Sequence, residues 1–141
     1  MKSHILIAIM LVYVPLSSAQ AENITINNLL KDYMKQGVNN ADADADADAE
    51  QGKQLWQKSF NSNGERSCAS CHTKDLTKNG RHVKTNKDIK PMSPSVNPER
   101  LTDSKKVNKW FKRNCKWTFG RECTAQEKTD LLIYIDRSSK F

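Results

Sequence analysis

Residues 68–72 read CASCH. In Cys-x-x-Cys-His the two thiols sit about one helical turn apart with the histidine directly behind them. This is the spacing by which a haem is attached through two thioethers while the histidine takes one axial position on the iron. Cys68 and Cys71 are therefore the candidate attachment residues, and His72 the candidate proximal ligand, of one covalently bound haem c. Two other chemistries use closely spaced cysteines, and both fit less well. A structural zinc site wants a second Cys-x-x-Cys or a paired histidine, and Cys115 and Cys123 have neither spacing. A thioredoxin-like redox pair wants a strand-to-helix context, which does not precede Cys68.

The 141 residues leave room for a single domain behind an N-terminal extension. The extension, MKSHILIAIMLVYVPLSSAQA, has a charged start at Lys2, an apolar run from Ile5 to Val14 and a small-x-small end at Ala19 to Ala21. That pattern predicts a cleaved secretory signal over residues 1–21 and a mature start at Glu22. The apolar run is about half of the roughly twenty residues a membrane span needs, so no membrane insertion is expected after cleavage. The expected location is the periplasm of a Gram-negative bacterium, where disulfides persist. The four cysteines then divide into two pairs with separate tasks.

Apolar spacing is helical along the chain, and no alternating run is long enough for a strand, so an all-α fold is expected. In residues 22–40, the stripe Ile26, Leu29, Leu30, Tyr33 and Met34 predicts an N-terminal helix with a cap at Thr25 and a stop at Gly37. Residues 41–49, ADADADADA, have no apolar face and read as a solvated acidic linker. The haem-bearing domain follows over residues 50–141. A second helix starts near residue 49 with Gly52, Leu55, Trp56 and Ser59 on one face, and the glycine permits close approach of another helix. That partner is the C-terminal helix, where Thr124 and Glu127 have capping-box spacing and Leu131, Leu132, Tyr134 and Ile135 face a core. Between His72 and Thr102, Pro91, Pro94 and Pro98 punctuate a polar stretch that reads as a loop wrapped around the haem edge.

What faces His72 across the iron decides between electron carriage and gas binding. Residues 102–115, TDSKKVNKWFKRNC, predict a helix capped by Thr102 with Val107, Trp110, Phe111 and Asn114 on one stripe. An asparagine buried at the end of such a stripe must satisfy its amide, by hydrogen bonds or by a metal, because an unpaired one costs roughly 1 to 3 kcal/mol. Met92 and His82 are rival ligands. Chemistry alone favours Met92, since methionine opposite histidine is the usual electron-transfer arrangement.

The formal charge of +7 is unevenly placed. Residues 72–117 hold thirteen Lys or Arg against four Asp or Glu, whereas residues 22–67 hold five against eight. A basic haem-side face suits an acidic redox partner, because complementary fields speed encounter. Nucleic acid is not an expected partner, since no reading motif accompanies the charge.

Three stretches, CASCH, KPMSPSVNPERLTDSKKVNKW and above all RNCKWTFGREC followed by EKTDLL, resemble the sphaeroides haem protein family of oxygen-binding class I cytochromes c. The likeness spans roughly residues 25–136. It implies a class I cytochrome c fold with an additional N-terminal helix and long haem-wrapping loops. It also implies that Asn114 is the distal iron ligand, displaced on reduction, that Cys115 and Cys123 form a disulfide, and that the position of Met92 is ordinarily aliphatic. The implied function is a monohaem cytochrome that accepts electrons and, when reduced, binds O2, NO or CO. A diheme cytochrome c or a membrane cytochrome b is the implied electron donor. The alternative is a simple electron-transfer cytochrome with Met92 as distal ligand. An oxygen- or NO-handling redox activity would be an enzymatic extension of the first reading, but no catalytic residue can be assigned to it. Trp117 and Phe119 are larger than the residues expected there and could narrow the gas pocket.

Overall fold

The computed structural model describes residues 18–39, 47–60 and 66–140. The expected signal peptide up to residue 17, and residues 40–46 of the Ala-Asp linker, lie outside the described residues. The elements are α1 (Ser18–Asn39), α2 (Ala49–Gln57), α3 (Cys68–His72), β1 (Gly80–Arg81), β2 (Asp88–Ile89), α4 (Ser104–Phe119) and α5 (Ala125–Asp136), closed by a 3-10 turn at Ser138–Lys140. The fold is all-α. Its small departure from the sequence reading is the antiparallel pair β1–β2, with Gly80 opposite Ile89 and Arg81 opposite Asp88. At two residues each, these strands are too short to leave an alternating pattern in the sequence.

Helix α5 is the centre. Leu131, Leu132, Ile133, Tyr134 and Ile135 are all buried, because α1 and α2 cover it from different sides. Thr124 caps it through the expected capping box with Glu127, and Arg121 adds a bidentate ion pair to the same carboxylate. Helix α2 crosses α5 at Gly52, where a Cβ would overlap the Asp130 carbonyl and lie 2.7 Å from the Tyr134 Cβ. Only glycine fits this approach. The crossing brings Trp56 against Tyr134, with ring centroids 6.0 Å apart. Ser59 does not share this face, because the helix ends at Gln57.

The last residues of the linker have a structural role. Asp48 caps α2 by accepting from the Glu50 and Gln51 N–H groups, and its own N–H donates to the buried carboxylate of Asp130. Helix α1 begins before the expected mature start and runs past Gly37, which is buried in its last turn instead of ending it. Ile26, Leu29 and Tyr33 are buried as expected, whereas Met34, on the flank of the stripe, is exposed. Helix α4 is capped by Asp103, whose carboxylate accepts from the Lys106 N–H. The expected cap Thr102 instead donates its hydroxyl to the Glu99 carbonyl. The helix passes through Asn114 and Cys115 and ends at Gly120, which is left-handed at φ 75°.

Burial holds the Asp130 carboxyl above its ordinary range, an effect only partly offset by the hydrogen bonds from Asp48 and Gln126. A carboxyl raised in the fold costs stability where it must ionise, and the cost disappears below the unfolded value. Asp130→Asn keeps an acceptor for both donors and removes the charge. We expect it to melt above the parent at neutral pH, with the gap closing as pH falls below the carboxylate range; thermal melts across pH provide the measurement.

Candidate functional site

The short helix α3 places Cys68, Cys71 and His72 within little more than one turn. Ser67 caps it, its side chain accepting from the Ser70 N–H, and the Thr73 N–H closes it onto the Ala69 carbonyl. Thr73 stands at φ 65° and ψ 170°, a region that costs a residue with a Cβ about 1–3 kcal/mol and persists only where surroundings enforce it. The enforcement is visible. The Trp56 indole N–H donates to the Thr73 carbonyl at 2.8 Å, and the Thr73 hydroxyl donates to the Asp75 carbonyl at 2.6 Å. The Trp56 ring also lies 5.5 Å from the His72 ring, so one side chain from α2 holds both the imidazole and the strained residue behind it. On another side Gly80 approaches so closely that a Cβ would collide with the Cys71 carbonyl and the His72 Cα.

His72 is set up as a neutral donor. Burial first, then the charge of Arg100 and the neighbourhood of His82, push its pKa down to about 4. Its Nδ1 is buried and has no hydrogen-bond partner among the described residues. Burial also pushes the Cys68 thiol up to about 12, against a hydrogen bond with Thr118 that acts in the opposite sense. Neither cysteine is paired in a disulfide. A neutral imidazole with an orphaned buried nitrogen and two unpaired thiols on the same turn is the donor set that haem c requires, so these residues fit the group.

The loop after α3 is fastened to it from within. Met92 and Ser93 both donate their N–H groups to the Leu76 carbonyl. Arg100 donates to the Lys90 and Pro91 carbonyls, and Asn97 also donates to Pro91. Met92 is half-buried against the core, tied within four residues of His72 and beside the arginine that acts on it. His82 is exposed, and its Nδ1 accepts from the Lys84 and Thr85 N–H groups as a turn residue does.

Asn114 lies on α4, next to a disulfide between Cys115 and Cys123 whose Cα atoms are 5.5 Å apart. That bond removes both cysteines from any zinc site. Thr118, one turn beyond Asn114 on the same face, meets Cys68, so this face of α4 turns towards α3. Asn114 is exposed, not buried as its place on the stripe suggests. Phe111 and Val107 are half-buried against the core, while Trp110 is exposed and stacks with Arg113 at 5.1 Å. The stripe therefore straddles the edge of the core, with Asn114 on its open side. Phe119 packs on Phe60 with centroids 4.3 Å apart, and Trp117 is half-buried. Sequence reasoning missed Trp56 as a support of His72, along with Gly80 and Arg100; a glycine eight residues beyond His72 was the one local signal available.

A family model described as a domain of unknown function, DUF1924, matches residues 42–135. Cytochrome c-type protein SHP of Cereibacter sphaeroides is 48% identical over 69 residues, covering 49% of this chain and 53% of that protein. The solved structure of oxidised SHP, an oxygen-binding cytochrome c, superposes with a TM-score of 0.68 at 38% identity, over 79% of this chain and 95% of that one. This chain belongs to the sphaeroides haem protein family. Cytochrome c″ of Methylophilus methylotrophus is 35% identical over 91 residues, 63% of each chain. Its solution structure, which addresses haem-ligand detachment, gives a TM-score of 0.67 at 29% identity over 79% of this chain and 92% of that one. The chain spans between half and two thirds of the length of these curated relatives. Like other members of the sphaeroides haem protein family it is a c-type cytochrome with a single covalently bound haem c.

Replacing both Cys68 and Cys71 with Ser is expected to abolish haem retention after acid extraction, and each single change to loosen it. Pyridine haemochrome on the extracted chain reads the result, and unchanged covalent haem in the double variant would contradict the assignment.

Proposed function

We propose that the protein is an exported, periplasmic monohaem cytochrome in which Cys68 and Cys71 hold the haem, His72 is its proximal ligand, and Asn114 is a distal ligand that leaves on reduction so that O2, NO or CO can bind. The observation that supports this reading is the contact of Thr118 with Cys68, because Asn114 precedes Thr118 by four residues and shares that side of α4. A carboxamide is neutral and has no thioether softness to keep it on ferrous iron, so it suits the harder ferric state and yields on reduction. The neighbouring disulfide closes a nine-residue loop, and on the chain-entropy model restricts the unfolded chain by about 2.5 kcal/mol while fixing the backbone beside Asn114. The oxygen binding of SHP and the haem-ligand detachment of cytochrome c″ lend support from two relatives.

Met92 is the rival ligand, and its attachments argue against it. Its backbone is bound to Leu76 on the segment that leaves His72, in a loop pinned by Arg100, which favours a place beside the histidine over one across the iron from it. Electrons are expected to arrive from an acidic partner, a diheme cytochrome c or a membrane cytochrome b. The basic excess between residues 72 and 117 supplies the complementary field, and exposed pairs such as Lys112 and Lys116 with Glu122 neutralise little of it.

Asn114→Ala is expected to convert a six-coordinate, amide-ligated ferric centre into a water-ligated or five-coordinate one while leaving ferrous CO affinity nearly unchanged, as read by optical and magnetic spectra. Met92→Leu should leave the ferric spectrum intact. If Met92→Leu abolishes the ferric ligand signature and Asn114→Ala does not, Met92 is the distal ligand and the protein is an electron shuttle.

A further inference from the structure

Helix α1 lies outside the residues the family model matches, yet it contributes Tyr33, one of the most deeply buried large side chains among the described residues. Most of α1 rests on α5. Tyr33 is where it also reaches α4. The Tyr33 hydroxyl donates to Asn108 Oδ1 at 2.6 Å, and the ring meets Phe111 edge-on with centroids 6.1 Å apart. The ring is itself fixed from the α5 side, where the Lys128 ammonium lies 5.5 Å from its centroid. Asn108 and Phe111 are one turn apart on α4, and Asn114 follows Phe111 by three residues. Near its other end α4 is held by the disulfide at Cys115. Asn114 thus sits between two fixed points, one covalent and one made by Tyr33.

We propose that α1 braces the distal helix, with Tyr33 acting through Asn108 and Phe111 as the positioning residue for Asn114. The inference rests on the reading of Asn114 as the distal ligand. A ligand that leaves on reduction and must return to the iron on each reoxidation depends on such a contact. The amide's effective concentration at the metal depends on how narrowly α4 is held. The hydroxyl-to-amide bond and the edge-on ring contact engage Asn108 and Phe111, one turn apart on α4, so the two together restrain that stretch of helix. Asn108 is exposed, so without Tyr33 its amide would turn to water at little cost. The bond therefore supplies geometry more than net stability.

The test uses the full-length holoprotein with cyanide as the probe, since cyanide reaches ferric iron only when the amide has left. Tyr33→Phe keeps the ring and removes the hydroxyl, and Asn108→Ala removes the acceptor from the exposed side and leaves the Tyr33 hydroxyl without it. Each should speed cyanide binding about two- to tenfold, the range that one hydrogen bond commands. The double variant should match Tyr33→Phe, because the bond is already gone and the exposed Asn108 amide is left to water. Amide hydrogen exchange over residues 108–115 should rise in parallel, a readout independent of ligand chemistry. Asn114→Ala serves as the control. If it leaves cyanide binding unaltered, the reading of Asn114 fails. If it accelerates binding while Tyr33→Phe and Asn108→Ala only lower the melting temperature, the brace is overturned and the Asn114 reading stands.

Discussion

Gly52 has no side chain, and α2 therefore rests against the Asp130 carbonyl of α5. The rest of the site depends on that approach. It sets the height of Trp56, whose ring then packs on Tyr134 and His72 and whose indole N–H secures the carbonyl of Thr73. Asp130 closes the same crossing from its other side by accepting from Asp48 at the start of α2. A larger residue at position 52 would force α2 away from α5, and the support of the imidazole would move with it.

The site is held differently on its two faces. On the His72 side, Trp56, Gly80 and the Arg100-pinned loop crowd around α3, so the histidine is desolvated, neutral and fixed against a strained backbone. On the α4 side the residues are more open. Asn114 and Trp110 are exposed, and what restrains them is the helix itself, tied at Cys115 and at Tyr33.

Much of the frame was legible in the sequence because it is local. The CASCH spacing, the Thr124 and Glu127 capping box and the apolar face of α5 each lie within a turn or two of chain. The α2–α5 crossing was legible because Gly52 marks it. The disulfide came from the family resemblance instead, since spacing alone did not pair Cys115 with Cys123. The misses are of two kinds. Thr102 and Asp103 are both good caps one residue apart, and only the course of the loop from Glu99 decides between them. Asn114 fell on the right stripe, but a helical stripe has a centre and two flanks, and which flank faces packed protein depends on where α1 and α5 lie. The support of His72 by Trp56 joins residues 16 apart through a tertiary contact and could not be read from periodicity.

The central claim is that the two oxidation states differ in coordination because the amide of Asn114 stays on ferric iron and leaves ferrous iron. The most direct measurement is the iron coordination number of the unmodified holoprotein in both states, by X-ray absorption or resonance Raman, followed by CO addition to the reduced sample. The account predicts six-coordinate ferric iron, five-coordinate ferrous iron and immediate CO binding. Six-coordinate low-spin iron in both states, with the reduced protein indifferent to CO, would contradict it.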